Sequence, residues 1–445
     1  MNDLEAARLI AEKAAAYGGK VYFVGGFVRD GILGRENKDI DIEIHGLPKE
    51  TIGEILDSVG ERLEYGKSFG IFGLRGLDID IALPRNSQTG TDPFMGTYEA
   101  ARHRDLTINS LMKDVLTGGI IDNFGGLADI RAGIIRHVDA GTFAEDPLRV
   151  LRAAQFAARF GFDIASETVT LCRDTDISAV SPERVMIETE KALMKSPKPS
   201  VYFEQLRRMG HLDIWYPELK ALIGVQQNRE HHLEGDAWTH TMLVIDEAAK
   251  RREKVRYPLG FMMSALCHDF GKAICTTVDE DGTVHSYGHE TFGVPVVQGF
   301  LERITTEMKL IKYVLNMTEL HMEPNIMARA KSKMKKTNKL FDRSEEPFDL
   351  IQLSVCDGLG KLPKCSDTEE FLMQRYEKFR QIMARPYVMG RDLVEAGLAP
   401  SGDFAEILRY AHKLRLAGLD KSEQLRHSLA YARTELKKGE DKDEA

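Results

Sequence analysis

The chain has 445 residues, 43% hydrophobic and 29% charged, with a formal net charge of −9 at neutral pH. That length exceeds one hydrophobic core and predicts roughly two to four domains of an ordinary soluble protein. No apolar run is long enough to span a bilayer, and MNDLEAARLIAEKAAAYGGK lacks the basic start and apolar core of a signal peptide, so a cytoplasmic protein with no membrane partner is expected.

Five scattered cysteines without a CxxC pair fit free thiols in a reducing compartment. The acidic balance argues against nucleic-acid binding by overall charge, but two local clusters run the other way. One holds Arg102, Arg104, Arg131, Arg136, Arg149, Arg152 and Arg159. The other, ARAKSKMKKTNK, holds Arg329, Lys331, Lys333, Lys335, Lys336 and Lys339. Each reads either as a basic binding face or as solvated charge.

Residues 1–20 predict a helix ending at Gly18-Gly19. From 21 to 83 strands and helices alternate: VYFVGG, VRDGILG, DIDIEI, the amphipathic KETIGEILDSVG, then short strands around Ser68–Leu74 and Leu77–Leu83. This is a small mixed α/β domain. In its first part, Gly25 and Gly26 let the backbone approach an anion at a helix start, followed by Arg29 and Asp30. Asp39 and Asp41, two apart on a strand, project from one face and suit a hard cation such as Mg²⁺. A Rossmann-like turn with surface acids has the same pattern. Asp80 in LDIDIAL is placed to supply a third carboxylate, with Asp78 exposed at the strand entrance.

A polar loop follows, and a helix from near Thr97 is expected to carry Arg104 and Asp105 one turn before Asn109. Arg104 can hold a triphosphate and Asp105 can accept from a ribose hydroxyl; surface i, i+4 pairing is the plain alternative. A hairpin is predicted at Gly118-Gly119 and a tight turn at Asp122 and Gly125-Gly126. AEDPLRVLRAAQFAARFGF is a helix with Asp146 as cap, Pro147 in its first turn and Leu148, Leu151, Phe156 and Phe160 as its apolar stripe. Glu145, Asp146, Arg149 and Arg152 lie in its first two turns. A carboxylate beside a guanidinium matches the amine-donor and ring-nitrogen-acceptor edge of cytosine and adenine, whereas uracil and guanine present the opposite pattern. A capping acid with an i+3 salt bridge has the same spacing.

From Gln226 the residue types change. His240, the adjacent His268-Asp269, and Asp357 are spread over apolar helices and can converge on one metal in a bundle. Mixed imidazole and carboxylate donors suit a divalent transition metal. His289 and His321 can bind substrate phosphate or a second ion. The last segment returns to amphipathic helices, and KKGEDKDEA is expected to be disordered.

Taken together and in order, GGFVRD, KDIDIEI, RHRDLTINSL, DNFGGLADI, AEDPLRVLRAAQFAARFGF and SPERVMIE resemble the motifs of class II tRNA nucleotidyltransferases, the CCA-adding enzymes of the polymerase β-like superfamily. The resemblance implies template-independent addition of CMP, and usually AMP, from CTP and ATP to the 3′ end of tRNA. It assigns Asp39 and Asp41 to two metals, and Arg104, Asp105 and Asn109 to triphosphate and ribose. It assigns Glu145, Asp146 and Arg149 to base selection, and Glu183 and Arg184 to the start of a neck helix. Two departures stand out. His103 replaces the first arginine of the family's Arg-Arg-Asp, and the segment between Ala82 and Ala101 is shorter than in CCA-adding members, as in members that add only CC. Full CCA addition and CC addition both fit. The His/Asp block resembles HD-domain phosphohydrolases, which implies a metal-dependent phosphodiesterase or phosphatase, and the last helices resemble tails that grip the tRNA elbow.

The expected architecture is an α/β nucleotidyltransferase head with a mixed sheet (1–140), followed by an all-α neck that selects nucleotides (141–225), an HD helical metal domain (226–375) and an α-helical tRNA-binding tail (376–445). Competing readings are an HD phosphohydrolase with an RNA-binding head, and a poly(A) polymerase.

Overall fold

A capping box starts the chain. The Asn2 side chain accepts from the Glu5 amide at 2.9 Å while Glu5 accepts from the Asn2 amide at 2.8 Å, which satisfies two orphan donors of α1 (Asp3–Ala16). The computed structural model describes residues 1–65, 70–86, 90–228, 232–365 and 367–436, and the chain divides after Trp215 into two units.

In the first unit, α1 buries Ala6, Ala7, Ile10, Ala11 and Ala14, a narrow stripe that packs against β1 (Lys20–Val24) and α3 (Lys49–Asp57). Between them lie α2 (Gly25–Ile32) and β2 (Ile40–His45). The strands β3 (Arg62–Tyr65), β4 (Ile71–Leu74) and β5 (Ile79–Ala82) follow. Gly66–Phe69, where part of the expected strand from Ser68 falls, lie outside the described residues. The strand β6 (Arg85–Asn86) pairs antiparallel with β7 (Gly90–Thr91), and residues 87–89 again lie outside the description. Then come α4 (Thr97–Arg102), a 3₁₀ turn at Thr107–Asn109, β8 (Met112–Asp114), β9 (Ile120–Ile121) and α5 (Gly126–Ala132).

Among the described residues the sheet has seven strands in the order β3-β4-β5-β2-β1-β8-β9, and only β2 and β5 run parallel. On β2, Ile40, Ile42 and Ile44 are buried on one face, which turns Asp41, Glu43 and His45 to the other. The mixed α/β head expected from the alternating pattern is therefore present. One expectation fails: α4 ends at Arg102, so Arg104, Asp105 and Asn109 are not on that helix. The Asp105 side chain bonds its own neighbour's amide, at Leu106, and Leu106 bridges to His137 in extended backbone. Local side-chain bonding of this kind competes with continued helix.

The short β10 (Ile134–Ile135) pairs in parallel with β11 (Asp163–Ile164), and α6 (Ala140–Ala144) leads into α7 (Leu148–Phe160). Beyond it lie α8 (Ser166–Asp174), α9 (Pro182–Lys195) and α10 (Ser200–Met209). The helix α7 is buried on nearly every side because α9 and α10 both pack on it.

The second unit is helical apart from one small strand pair, Thr277–Val278 with Val284–His285, among the described residues. At its centre is the helix Pro258–Cys267, apolar all round, with Phe261, Met262, Met263 and Leu266 fully enclosed. The helices Ala237–Ala249, Met308–Leu320 and Pro347–Leu359 pack against it. The closing helices Phe404–Leu416 and Lys421–Tyr431 share a separate core of Val388, Leu393, Ile407 and Ala411. Arg329, Lys331, Lys333, Lys335, Lys336 and Lys339 are all exposed along one short stretch. The acidic end, 437–445, lies outside the described residues. All five cysteines are free, and no described helix is long and apolar enough to cross a membrane.

Candidate active sites in the two units

The sheet of the first unit carries its acids where two strands run side by side. Asp41 on β2 and Asp80 on β5 are register partners, and Asp39 stands at the exposed approach to β2. Burial, the Asp80 charge and the nearby Asp39 together raise the Asp41 carboxyl to about 6, against the pull of Arg104. Three carboxylates with this much unrelieved repulsion favour a divalent cation, whose charge removes the penalty. Gly25 sits beside them at φ +62°, a left-handed conformation in which a side chain is strained, and a Cβ there would come within 3.6 Å of the Asp41 carboxylate.

A cleft of about 500 Å³ opens over Asp39 and Asp41. Its walls include Gly25, Gly26, Arg104, Asp146, Arg149 and Arg152, so acids and guanidiniums face one space. A second cavity of about 460 Å³ shares Arg104, Asp146 and Arg149 with it and adds Glu43 and Glu145. Anion-binding cations next to a cation-binding floor is the arrangement a metal–triphosphate complex requires.

The remaining predicted residues organise these walls. Arg29 is buried, with its guanidinium over the rings of Phe156 (5.0 Å) and Phe160 (4.8 Å). It donates to Asp30 at 2.8 Å and to Asn109 at 2.5 Å, so it ties α2 to the 3₁₀ turn and to α7. Burial outweighs the attraction of Asp30 and lowers the Arg29 pKa from its ordinary value. Asp105 is buried with both oxygens occupied. One accepts from Leu106 N (2.8 Å) and Asn109 Nδ2 (3.1 Å), the other from Arg152 Nε (2.7 Å). Burial penalises that carboxylate, yet Arg152 and these donors hold it below the usual range.

Asp146 and Arg149 do not pair here. Asp146 accepts from Arg184 at 2.8 and 3.1 Å, whereas Arg149 donates to the carbonyls of Thr142 and His103, each at 2.6 Å. The expected i+3 salt bridge fails because α6 and the turn after α4 offer Arg149 two carbonyls. Asp146 does accept from Leu148 N at 3.2 Å, as a cap should. The first basic cluster is largely internal wiring. Arg102 meets Glu99 and Asp139, Arg136 meets Asp129 and Glu167, and Arg159 meets Asp30.

Sequence reasoning missed Glu43. It is buried, accepts from Arg104 at 2.6 Å and contacts His45 Nε2 at 2.8 Å, while His45 Nδ1 reaches the Met95 carbonyl. Arg104 and His45 pull its carboxyl down despite burial. The signal was available: Asp41, Glu43 and His45 all share one parity on β2.

In the second unit the expected His/Asp set does meet. His240 Nε2 lies 3.1 Å from Asp357 Oδ1 and 3.6 Å from Asp269 Oδ2, and His268 Nε2 lies 3.2 Å from Asp269 Oδ2. All four residues are buried. His268 Nε2 has no hydrogen-bond partner among the described residues, and such a buried polar atom is costly unless something binds it. The donor set, its enclosure and the unpartnered His268 Nε2 fit a transition-metal ion. Two residues not foreseen complete the surroundings. Glu234 Oε1 accepts from Nδ1 of His240 (3.1 Å) and of His232 (2.6 Å), which aims the His240 Nε2 lone pair inward. Lys272 lies 2.7 Å from Asp269 Oδ2. His268 caps its helix and Asp269 lies in the turn beyond, not on a helix as expected.

Comparison with known proteins agrees with this geometry. Residues 21–136 match the model described as "Poly A polymerase head domain", and residues 161–223 match "Probable RNA and SrmB- binding site of polymerase A". The multifunctional CCA protein of Actinobacillus pleuropneumoniae serotype 5b (strain L20) is 33% identical over 365 residues, covering 77% of this chain and 86% of that protein. That of Pasteurella multocida (strain Pm70) is 35% identical over 393 residues, covering 82% and 90%. The solved Thermotoga maritima CCA-adding enzyme complexed with tRNA shares the fold at a TM-score of 0.65 and 21% identity, over 96% of this chain and 94% of that one. Both the ordered motifs and the extent of these matches lead to one conclusion: the chain belongs to the class II tRNA nucleotidyltransferase family.

Proposed function

We propose that this protein adds CMP, and then AMP where ATP is accepted, to the 3′ end of tRNA. The observation that carries the reading is that Asp39 and Asp41, the latter the register partner of Asp80, line one cleft with Arg104, Arg149 and Arg152. Asp39 and Asp41 would hold Mg²⁺, which supplies charge neutralisation for the triphosphate and the departing pyrophosphate. Arg104 and Arg152 draw the phosphates and orient them in line with the attacking 3′-hydroxyl. Asp146 and Arg149 offer an acceptor and a donor to the base edge once Asp146 leaves Arg184. The exposed lysines from Lys331 to Lys339 suit a phosphate backbone, which is recognised through shape and charge.

The relatives' printed name, multifunctional CCA protein, favours completion with AMP. The short segment after Ala82, in which Arg85 and Asn86 pair with Thr91 and Gly90, favours stopping at CC. Incubating the protein with tRNA lacking its 3′ end, Mg²⁺ and CTP, with and without ATP, tests the reading. CMP incorporation supports it, AMP incorporation distinguishes CCA from CC addition, and long A tracts would point to a poly(A) polymerase. Absence of any incorporation overturns the proposal.

A second activity is favoured by the convergence of His240, His268, Asp269 and Asp357. We read the second unit as a metal-dependent phosphohydrolase, with the four-part division at 140, 225 and 375 as its setting. Release of phosphate that needs a divalent transition metal, and that His268→Ala abolishes, is the expected result. Release unaffected by His268→Ala excludes this site.

A further inference from the structure

Arg415, on the closing helix Phe404–Leu416, is a buried cation, 7% exposed, to which no ion pair forms among the described residues. Its Nη2 donates to the Met383 carbonyl at 2.5 Å, and its guanidinium carbon lies 4.2 Å from the centre of the Tyr387 ring. Its Nε is enclosed and has no hydrogen-bond partner. A carbonyl and a ring face reduce the cost of burying a guanidinium, but neither carries the opposite charge. Carboxylates on neighbouring elements are engaged elsewhere. Asp342 meets His412 Nε2 with both oxygens at 2.9 Å, and Asp392 accepts from Lys421 and from Met389 N, each at 2.7 Å. Burial outweighs the attraction of Tyr387 and Asp342 and lowers the Arg415 pKa from its ordinary value.

This cation lines a cavity of about 260 Å³, where Arg415, His412 and Gln424 meet Val388, Met389 and Leu408. The volume is below the roughly 300–1,000 Å³ of sites for drug-sized ligands, so it admits one small molecule. Gln424 is buried, and its Nε2 donates to the Leu419 carbonyl at 2.8 Å. An amide nitrogen carries two hydrogens, so one N–H of Gln424 has no partner among the described residues. The apolar wall continues into the separate core of the closing helices, to which Val388 belongs and against which Leu408 packs.

One unpaired cation, one amide donor and an apolar wall define the occupant by its chemistry. A phosphate would bring three or four hydrated oxygens to a wall with few donors, whereas a carboxylate brings two. We propose that this cavity binds a small monocarboxylate with an apolar body, its carboxylate on Arg415 and Gln424 and its body against Val388, Met389 and Leu408. The site shares no lining residue with the nucleotide cleft or with the His/Asp cluster. A ligand held only by the folded state stabilises the helices around it.

The test uses the full chain freed of metal with chelator, so that no carboxylate binds through an ion, and para-fluorobenzoate as the probe. Its fluorine resonance should broaden with the protein. Excess benzoate should reverse the broadening, whereas inorganic phosphate and benzyl alcohol at the same concentration should not. Hydrogen exchange in 387–390 and 404–431 should slow when benzoate is present. Arg415→Met should weaken the probe about 10- to 100-fold, the range for losing a hydrogen bond to a charged group. Leu408→Trp fills the cavity from a half-buried position with Arg415 in place and should abolish the broadening, so the test survives an arginine variant that fails to fold. No broadening with the parent, or broadening that persists in Leu408→Trp, would overturn the proposal. Displacement by phosphate as effective as by benzoate would overturn the choice of a carboxylate, and the proposal with it.

Discussion

Asp41 and Asp80 are register partners on β2 and β5, the one parallel pair among the described strands of the sheet. Register partners on neighbouring strands point to the same face, so their charges meet above it. The protein stores this repulsion, together with the partial burial of Asp41, and a bound cation relieves it.

Asp41→Asn should therefore stabilise the metal-free protein while it abolishes nucleotidyl transfer. Asp41 titrates near 6, above its unfolded value near 3.8. Between those two pH values the folded state holds the extra proton, so stability falls as pH rises through the window, and the full cost remains above about 6. A shift of that size corresponds to at most about 3 kcal/mol, and partial solvation reduces it to about 1–2 kcal/mol. Thermal unfolding in chelator at pH 8 should show the variant about 2–6 °C higher, with the gap closing toward pH 4. A lower midpoint for the variant at pH 8 would contradict this account.

Arg29 is a structural cation within the catalytic unit. It has Asp30 and Asn109 as partners and two aromatic rings beneath it, so Arg29→Ala strands a buried carboxylate. The expected loss is about 3 kcal/mol, and Arg29→Lys should recover only part because an ammonium cannot reach both partners in one plane. Urea unfolding measures it. A loss below about 1 kcal/mol would mean that Asn37 and Arg159 alone satisfy Asp30.

Asp146→Ala should relax the choice of base. With the carboxylate gone, the acceptor for the exocyclic amine of cytosine is lost, worth about 1–3 kcal/mol or roughly 10- to 100-fold in selectivity. Competition between CTP and UTP in single-turnover incorporation reads this directly. Unchanged discrimination would assign Asp146 to its present partner, Arg184, instead.

Glu234→Gln should weaken metal binding in the second unit without removing a ligand. Glu234 sets the tautomer of His240, and loss of such a partner typically costs about 10- to 100-fold in affinity. Calorimetric titration with Mn²⁺ in the Asp39→Asn and Asp41→Asn background tests it. An unchanged affinity would show that Glu234 does not set the His240 tautomer on which metal binding depends.

Strand periodicity made the shared face of Asp41 and Asp80 legible, because alternation on a strand depends on local backbone geometry alone, whereas Asp39, expected on the same strand, stands just before it. The helix at α7 was legible through its cap, its proline and its stripe. The turn after Arg102 was not, because a single side-chain bond from Asp105 ends the helical course and no pattern in RHRDLTINSL marks it. The partners of Asp146 and Arg149 were hidden for a different reason. They come from Arg184 and from the carbonyls of His103 and Thr142, distant or backbone groups that spacing within one helix cannot reveal. Glu43 was overlooked although its parity placed it beside Asp41. In the second unit the histidines announced a metal site by type, but the gathering of His240, His268, His289 and His321 on Asp269 needed coordinates.

The central claim is that the Asp39 and Asp41 pair carries nucleotidyl transfer to tRNA. Incorporation of labelled CMP from CTP into tRNA lacking its 3′ end should proceed with the parent protein in Mg²⁺. With Asp39→Ala or Asp41→Ala it should fall by on the order of 10³-fold or more, since each removes a donor to the catalytic ion. Incorporation at the parent rate by either variant would contradict the account.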